Sequence, residues 1–225
     1  MTSPFIDFHT HKINQAKGTV SIFSHHCLNE EPHITTPNFF SSGAHPWFTP
    51  PELATKSLLN RLMAISQKPR FLCVGEIGLD RLRGPSLEDQ LEVFQTQLKW
   101  AGEINSPAIV LHCVRAFDVF LKILKESEFQ GAFIFHDYSG NKEITESLLQ
   151  DSRVYFSLGR VLLRSSASEH FYSLPTSRIF FETDDGEETI EAIYSAFCLR
   201  RKLPLSDLKK AIVDNFEHLF QLSVN

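Results

Sequence analysis

The sequence lacks features that mark several large classes of protein. It has only four cysteines in 225 residues, and no two of them form a CxxC pair. This spacing argues against a disulfide framework and against a cysteine-based zinc site, and it indicates buried, reduced thiols. No apolar run approaches the ~18 residues of a transmembrane helix, and no secretory signal precedes the first apolar run. We therefore expect a cytoplasmic protein with no membrane partner and no obligate protein partner.

Positive charge is scarce as well. The chain has 22 Lys and Arg residues against 27 Asp and Glu residues, which gives a net charge of −5 at pH 7. No overall basic field therefore attracts nucleic acid, and a bound phosphate would need another source of neutralising charge. Internal repeats, low-complexity tracts and a convincing linker are also missing. With 42% hydrophobic residues, the sequence predicts a single domain over residues 1–225.

Eight short runs rich in apolar residues recur along the chain. Several of them are continuously apolar, which is typical of strands in a parallel sheet that is buried on both faces. The runs are FIDF (5–8), TVSIFS (19–24), FFSSG (39–43), RFLCVG (70–75), AIVLHC (108–113), AFIFHD (132–137), VYFSLG (154–159) and RIFFETD (178–184).

Helical patterns separate the later strands. The predicted helices are 52–66, 86–104, 117–126, 142–150, 189–201 and 205–220. Strands that alternate with helices, eight strands in all, predict an α/β fold of the (β/α)8 TIM-barrel type. Segments 9–18 and 25–38 are too short, and too rich in Pro, Asn and Thr, for full crossover helices. We therefore expect reduced helices in the first third of the barrel.

Residues of metal-binding type stand where the predicted strands end. In FIDFHTHK, the side chains of Asp7, His9 and His11 alternate and would project to one face of a continued strand. The carboxyl ends of barrel strands meet at one mouth, where barrel active sites are built. Six residues would converge there: His9, His11, Glu76, His112, His136 and Asp184. Asp7 is expected to anchor its strand or to orient a ligand.

The proposed ligand set mixes imidazoles with carboxylates. This mixture suits Zn²⁺, Mn²⁺ and related divalent ions better than Ca²⁺. A single histidine at a strand end more often has a structural role than a metal-binding one. Four histidines and two carboxylates at the same barrel mouth nevertheless favour a metal site. Because four histidines and two carboxylates exceed the needs of one tetrahedral ion, we expect two ions that share Glu76 as a bridge.

These residues lie in short motifs spread over nearly the whole chain. The motifs are DFHTH (7–11), GAHPW (43–47), VGEIGLD (74–80), LHC (111–113), FHDYSG (135–140), YFSLG (155–159), ETD (182–184) and NFEHLF (215–220). In content and order, the sequence resembles the TatD-family metal-dependent deoxyribonucleases, a branch of the amidohydrolase-like barrel hydrolases. The resemblance implies a hydrolase that cleaves phosphodiester bonds in DNA, single-stranded or at strand ends, with water activated by two divalent ions.

The resemblance also implies roles for individual residues. His9, His11 and Asp184 would hold one ion, His112 and His136 would hold the second, and Glu76 would bind both. The ions would be Zn, Mn, Mg or Ni. Catalysis would rest on Glu76 and Asp184, and Asp184 would take up the proton of the attacking water. Substrate contacts would come from His45 and Arg115, and a purely structural role for His45 in the turn before Pro46 is the alternative.

The sequence departs from the family pattern in the residues and loops that are expected to contact the substrate. Arg115 stands one position later than the family's arginine after the fifth strand, and the loop after ETD is shorter. A small phosphoester, amide or lactone therefore remains an alternative substrate, and a non-catalytic metal-binding barrel is a further alternative.

Trp47 is expected to stack on a base or to pack against the following loop. The remaining histidines are expected to be exposed to solvent: His25, His26, His33, His170 and His218.

Overall fold

A computed structural model describes residues 3–12, 16–49 and 56–224. Eight parallel strands lie in chain order in one sheet. They are β1 Phe5–Thr10, β2 Thr19–His26, β3 Phe39–Gly43, β4 Phe71–Asp80, β5 Ala108–Val114, β6 Ala132–Phe135, β7 Val154–Leu158 and β8 Ile179–Phe181. A parallel bridge between Thr10 and Asp184 brings the two ends of the sheet together. The predicted (β/α)8 barrel is confirmed.

Seven helices cover the barrel in the described part of the chain. They are α1 Lys56–Ser66, α2 Leu87–Glu103, α3 Phe117–Glu126, α4 Lys142–Leu148, α5 Glu169–Tyr172, α6 Ile190–Arg201 and α7 Leu205–Phe220. The described residues between β1 and β3 contain no helix, as predicted, and the expected start of α1 at 52–55 falls outside the described residues. Within residues 3–12, 16–49 and 56–224, no helix is both long and apolar enough to cross a bilayer.

The strands are buried on both faces, which explains their continuous apolar runs. Val110, Phe133 and Ile134 are fully buried, because the barrel interior takes one face of each strand and the helices take the other. On the outside, the ring of Phe94 in α2 meets the ring of Phe120 in α3 edge to face, with centroids 5.4 Å apart. This outer layer buries large aromatic surface and holds the later strands in place.

Strand β4 is longer than its apolar run predicts. It continues from Phe71 to Asp80, so Glu76 lies within the strand and not just after it. The register with β5 shifts between Val74 and Ile77. A side chain at Gly78 would collide with the backbone of His112, so β4 and β5 approach closely at this point. The sequence suggested an early strand end because glycines usually mark turns, whereas here they permit a tight, irregular pairing.

Candidate metal centre

Glu76 lies at the centre of a cluster of imidazoles. Its side chain is buried, and its Oε1 lies 2.7 Å from Nδ1 of His112, 2.8 Å from Nε2 of His136 and 2.9 Å from Nε2 of His45. Its Oε2 lies 3.3 Å from Nε2 of His9. One carboxylate therefore contacts side chains from both halves of the barrel mouth, with one oxygen facing each half.

His9, His11 and Asp184 form a second group beside Glu76. Oδ1 of Asp184 lies 3.4 Å from Nε2 of His11 and 3.8 Å from Nε2 of His9. The backbone fixes this arrangement, because Asp184 N–H donates to the His9 carbonyl (2.9 Å) and His11 N–H donates to the Asp184 carbonyl (3.1 Å). Asp7 strengthens the same junction by accepting hydrogen bonds from the backbone and hydroxyl of Thr183. The junction of β1 with the segment after β8 therefore aligns three candidate ligands.

The cluster borders one cavity, which we call the central cavity. It has a volume of about 370 Å³, and its lining includes His11, Glu76, His112, His136 and Asp184. This volume falls in the range of about 300–1,000 Å³ that small-molecule sites occupy. All six residues that the sequence singled out lie in or beside this cavity, at the C-terminal mouth of the barrel.

The donor atoms in the cluster fit divalent cations. Three groups have candidate ligand atoms within 4.8 Å of one another: His9–His11–Asp184, His9–Glu76–His136 and His45–Glu76–His112. Although His9 is fully buried, neither of its ring nitrogens makes a hydrogen bond to a described residue. Burying such a nitrogen without a partner is costly, and a bound cation would satisfy it. Mixed imidazole and carboxylate donors also match the preferences of zinc and neighbouring divalent metals.

Electrostatics keep the two candidate carboxylate ligands ionised. Burial alone would raise the pKa of Glu76, but the charge of His136 and hydrogen bonds from three histidines hold it well below its usual range. Burial likewise opposes ionisation of Asp184, yet His11, His9 and His136 keep its pKa below its usual range. Burial lowers the pKa of His9 to about 4, so its imidazole is neutral and able to donate a lone pair.

Asp80 lies behind His112 and orients it. Oδ2 of Asp80 lies 3.2 Å from Nε2 of His112 and accepts a hydrogen bond of 2.6 Å from Nε1 of Trp47. With its Nε2 turned to Asp80, the His112 ring presents Nδ1 to Glu76. A carboxylate on the far nitrogen fixes the tautomer and orientation of a metal-binding histidine. Trp47 therefore packs at the cavity with its polar edge committed to Asp80.

Glu182 has the same relation to His136, and the sequence analysis missed it. It is fully buried; its Oε1 lies 3.4 Å from Nδ1 of His136 and accepts a 2.6 Å hydrogen bond from Asp137 N–H. Burial raises the pKa of Glu182 to about 7. The available signal was a glutamate directly after the apolar residues of RIFFETD, where only a partner inside the barrel makes such a residue tolerable.

Two buried glutamines of α2 tie the helix to the loops that carry the site. Gln90 accepts from Asp80 N–H at 2.7 Å and donates to the Asp80 carbonyl at 2.9 Å. Gln97 accepts from Ala44 N–H at 2.7 Å and donates to the Ala44 carbonyl at 3.2 Å, next to His45. Their seven-residue spacing places both on one face of the helix. Neither glutamine was singled out from the sequence.

The two predicted substrate residues lie in different places. His45 lines the central cavity, where its Nε2 faces Glu76 and its Nδ1 accepts the Trp47 N–H at 3.1 Å. Arg115 is exposed and lines a separate depression with Ser139. The structure therefore brings His45, but not Arg115, into the central cavity.

The prediction of exposed histidines is confirmed for His33 and His218, wrong for His25, which is buried, and wrong for His26 and His170, which are half-buried. Both His25 and His26 lie on β2, which runs two residues further than its apolar pattern indicated. His25 is buried and bonded to Ser42 and to the Glu30 carbonyl, whereas His26 lines the central cavity. Polar side chains at the end of β2 hid this extension.

Comparison with known proteins agrees with this architecture. The model of the family described as TatD related DNase matches residues 25–221. The metal-dependent hydrolase YjjV of Escherichia coli is 24% identical over 204 residues, covering 83% of this chain and 78% of YjjV. The 3'-5' ssDNA/RNA exonuclease TatD of Pantoea vagans is 33% identical over 112 residues, covering 48% of this chain and 42% of that protein. The matched part therefore spans less than half of that exonuclease.

Solved structures show the same fold. The crystal structure of Escherichia coli YjjV, a TatD homologue, superposes with a TM-score of 0.80 at 23% identity, covering 97% of this chain and 98% of that one. A hydrolase TatD family protein from Entamoeba histolytica gives a TM-score of 0.81 at 17% identity, with 98% and 99% covered. The family match extends over most of the chain and includes four of the six candidate ligands. The chain belongs to the TatD related DNase family of metal-dependent hydrolases.

Proposed function

We propose that this protein hydrolyses phosphodiester bonds in DNA, acting on single strands or strand ends, with two divalent cations bound at the mouth of the barrel. The observation that carries the proposal is the position of Glu76, whose Oε1 faces the imidazoles of His112 and His136 while its Oε2 faces that of His9. The proposal covers residues 1–225 as one catalytic domain. It includes a cytoplasmic location, supported by four free thiols, three of them buried.

The proposed ligands divide into two sets. His9, His11 and Asp184 would hold one cation, His112 and His136 would hold the other, and Glu76 would bridge them. Support comes from the distances around Glu76 and from His9, whose ring nitrogens are buried and make no hydrogen bond to a described residue. Bound there, the two cations would neutralise the charge of the substrate phosphate and lower the pKa of a bound water molecule. The protein has a net negative charge, so its overall charge would not neutralise the phosphate.

The chain's own residues would supply the remaining steps. Asp184, which is ionised and has a side chain that is 19% exposed, would accept the proton of the attacking water. His45 faces the cavity and would contact the phosphate or the leaving oxygen. Arg115 lies outside the cavity, so we assign it a contact only with a strand that continues beyond the nucleotide being cleaved.

Hydrolysis of a single-stranded oligonucleotide tests the proposal. Protein loaded with Mn²⁺, Mg²⁺, Zn²⁺ or Ni²⁺ should release shorter products, and metal analysis should find close to two ions per chain. We expect Glu76→Gln to lower the rate by at least ~100-fold while circular dichroism stays unchanged, because the bridge between the cations is lost. Leu199→Ala, at a side chain that is 83% exposed on α6, is the control and should keep full activity. Equal rates for Glu76→Gln and wild type would refute the bridging role.

A small phosphoester, amide or lactone is the second candidate substrate. The compact cavity of about 370 Å³ and the net charge of −5 favour it over a long polyanion. A panel of small esters, amides and lactones, assayed beside the oligonucleotide, separates the two. Faster turnover of a panel member would replace the DNA proposal, whereas bound metal without turnover on any substrate would indicate a non-catalytic barrel.

A further inference from the structure

The central cavity has an aromatic part that the proposed metal chemistry does not use. Phe23 and His26 reach it from β2, and Phe48 reaches it from the turn after β3. We call these three residues the aromatic wall. Phe48 ends a single 3-10 turn, Pro46–Phe48, in the connection between β3 and β4, and all three residues share the cavity with Glu76 and His112. The cavity therefore combines a polar centre with a face suited to a planar apolar group.

Phe48 is the exposed member of the aromatic wall. Its side chain is 56% exposed, although it is surrounded by rings on its other side. His26 meets it edge to face with centroids 5.3 Å apart, and the rings of His45 and Trp47 lie 5.9 Å and 6.4 Å away. Three aromatic side chains therefore support the Phe48 ring, while more than half of its surface is available for a ligand.

The turn that carries Phe48 is firmly held. Phe48 N–H donates to the His45 carbonyl at 3.0 Å, and the Thr49 hydroxyl donates to the Pro46 carbonyl at 3.0 Å. The next loop packs so closely that a Cβ on Gly84, which has a φ of +89°, would lie 2.7 Å from the Pro46 carbonyl oxygen. A ring held in one position loses little conformational entropy when a ligand stacks on it.

Trp47, the stacking candidate from the sequence, is already engaged. Its indole N–H donates to Asp80, and the guanidinium of Arg83 lies over its ring at 3.8 Å from the centroid. The rings of His45 and His112 contact it edge to face. Among the aromatic residues of the turn, Phe48 is therefore the one with surface left for a ligand.

We propose that Phe48, supported by the rings of His26 and His45, is the stacking platform for the nucleobase next to the phosphate that the proposed cations beside Glu76 would hold. This inference rests on the proposed function, since it names the part of the substrate that is recognised beside the bond that is cleaved. His45 connects the two features, because it contacts Glu76 through Nε2 and Phe48 through its backbone and ring.

The platform predicts which substrates are selected. Every base has a π face, so stacking on Phe48 tolerates any sequence but needs a base that has left its duplex stack. It favours single strands or frayed ends over paired DNA, and nucleotides over phosphodiesters that lack a base.

Two hexamers with the same phosphodiester backbone test the platform. One is thymidine hexanucleotide, and the other has a tetrahydrofuran abasic residue at all positions, which makes the direction of cleavage irrelevant. We expect Phe48→Ala to reduce kcat/KM on the thymidine hexamer by about 10-fold to 100-fold, mainly through KM, because stacking on one base is lost. The abasic hexamer should lose less than about 2-fold, since it makes no stacking contact.

Matched variants separate the aromatic ring from its volume. Phe48→Tyr keeps a ring and should keep the preference for the thymidine hexamer, whereas Phe48→Leu keeps apolar bulk and should lose it. Leu199→Ala should change neither substrate. Equal losses on both hexamers in Phe48→Ala, or full retention in Phe48→Leu, would overturn the platform.

Calorimetric binding to the Glu76→Gln protein distinguishes failure of the platform from failure of the proposed function. The thymidine hexamer should bind more tightly than the abasic one, and adding Phe48→Ala should abolish the difference. If wild type hydrolyses neither hexamer, the proposed nuclease activity fails and this binding comparison alone decides the platform. If both hexamers bind equally before Phe48 is changed, the platform is wrong even for an active nuclease.

Discussion

Two arcs of the barrel differ in how they are covered. The first arc, β1 to β3, has no helix in its described connections, whereas the second arc, β4 to β8, is wrapped by helices. Helix α7, near the end of the chain, covers the strands of the first arc. In α7, Phe216 packs on Phe39 with centroids 5.8 Å apart, and Phe220 packs on Phe8 at 6.1 Å. A strand therefore needs an apolar cover but not a crossover helix of its own.

The two arcs also support their candidate ligands differently. In the second arc, Asp80 makes a hydrogen bond to His112, whereas Glu182 lies 3.4 Å from Nδ1 of His136 without a hydrogen bond to that nitrogen. In the first arc, neither ring nitrogen of His9 makes a hydrogen bond to a described residue, and backbone bonds to Asp184 align it. His112 is therefore the braced candidate ligand, whereas His9 is aligned through its backbone.

The largest expected effect concerns the stability of the helical arc. Phe94 is buried between α2 and α3, so Phe94→Ala should lower the free energy of unfolding by about 3–5 kcal/mol. Urea denaturation of metal-free protein measures this. Leu199→Ala, on the exposed face of α6, should stay within ~0.5 kcal/mol of wild type. A loss below ~1 kcal/mol for Phe94→Ala would contradict the view that the contact between α2 and α3 holds the second arc together.

The braced and unbraced ligands give the next prediction. Asp80→Asn removes the negative charge behind His112, and such changes typically weaken metal binding by about 10-fold to 100-fold. If the proposed division of ligands holds, only the cation assigned to His112 and His136 should be affected, so one of two steps in a calorimetric metal titration should shift. Asp118→Asn is the control, because this aspartate pairs with Arg81 on the surface and should leave both steps in place. A shift of both steps together would show that the arcs do not hold their cations independently.

Much of the barrel could be predicted from residue pattern, because buried parallel strands and amphipathic helices have distinct periods. Helices α3 and α7 begin and end where their apolar spacing indicated, and the six residues of metal-binding type do converge. The end of β4 could not be predicted, since Gly75 and Gly78 signal a turn locally and become an irregular strand only against β5. Local sequence does not contain that pairing.

The features around the candidate ligands were harder to find for a related reason. Glu182 acts on His136 only because β6, β7 and β8 lie side by side, a relation of residues far apart in the chain. Phe48 is exposed on one side while the rings of His26 and His45 contact it on the other, an arrangement that brings together residues from β2 and from the turn after β3. Residue type alone made Trp47 the better stacking candidate, and its partners Asp80 and Arg83 became visible only in three dimensions.

The smallest expected effect tests whether the helical arc does more than cover strands. Ser86 caps α2 by accepting the Asp89 N–H at 3.2 Å, so Ser86→Ala should cost about 1 kcal/mol of stability. Gln90 lies in that first turn and holds both backbone groups of Asp80, so fraying the turn should also loosen the brace on His112.

We therefore expect Ser86→Ala to weaken the cation site of His112 slightly, by a factor smaller than that of Asp80→Asn, and to leave the site of His9 unchanged. Ser86→Thr, which keeps the capping oxygen and the hydroxyl that donates to the Asp89 carboxylate, should retain both stability and affinity. Loss of stability in Ser86→Ala with no change in the metal titration would show that α2 supports the barrel without transmitting anything to its mouth. In that case, the loop around Asp80 would be enough to hold the Asp80 carboxylate against His112. That carboxylate also accepts hydrogen bonds from the backbone N–H groups of Leu82 and Arg83.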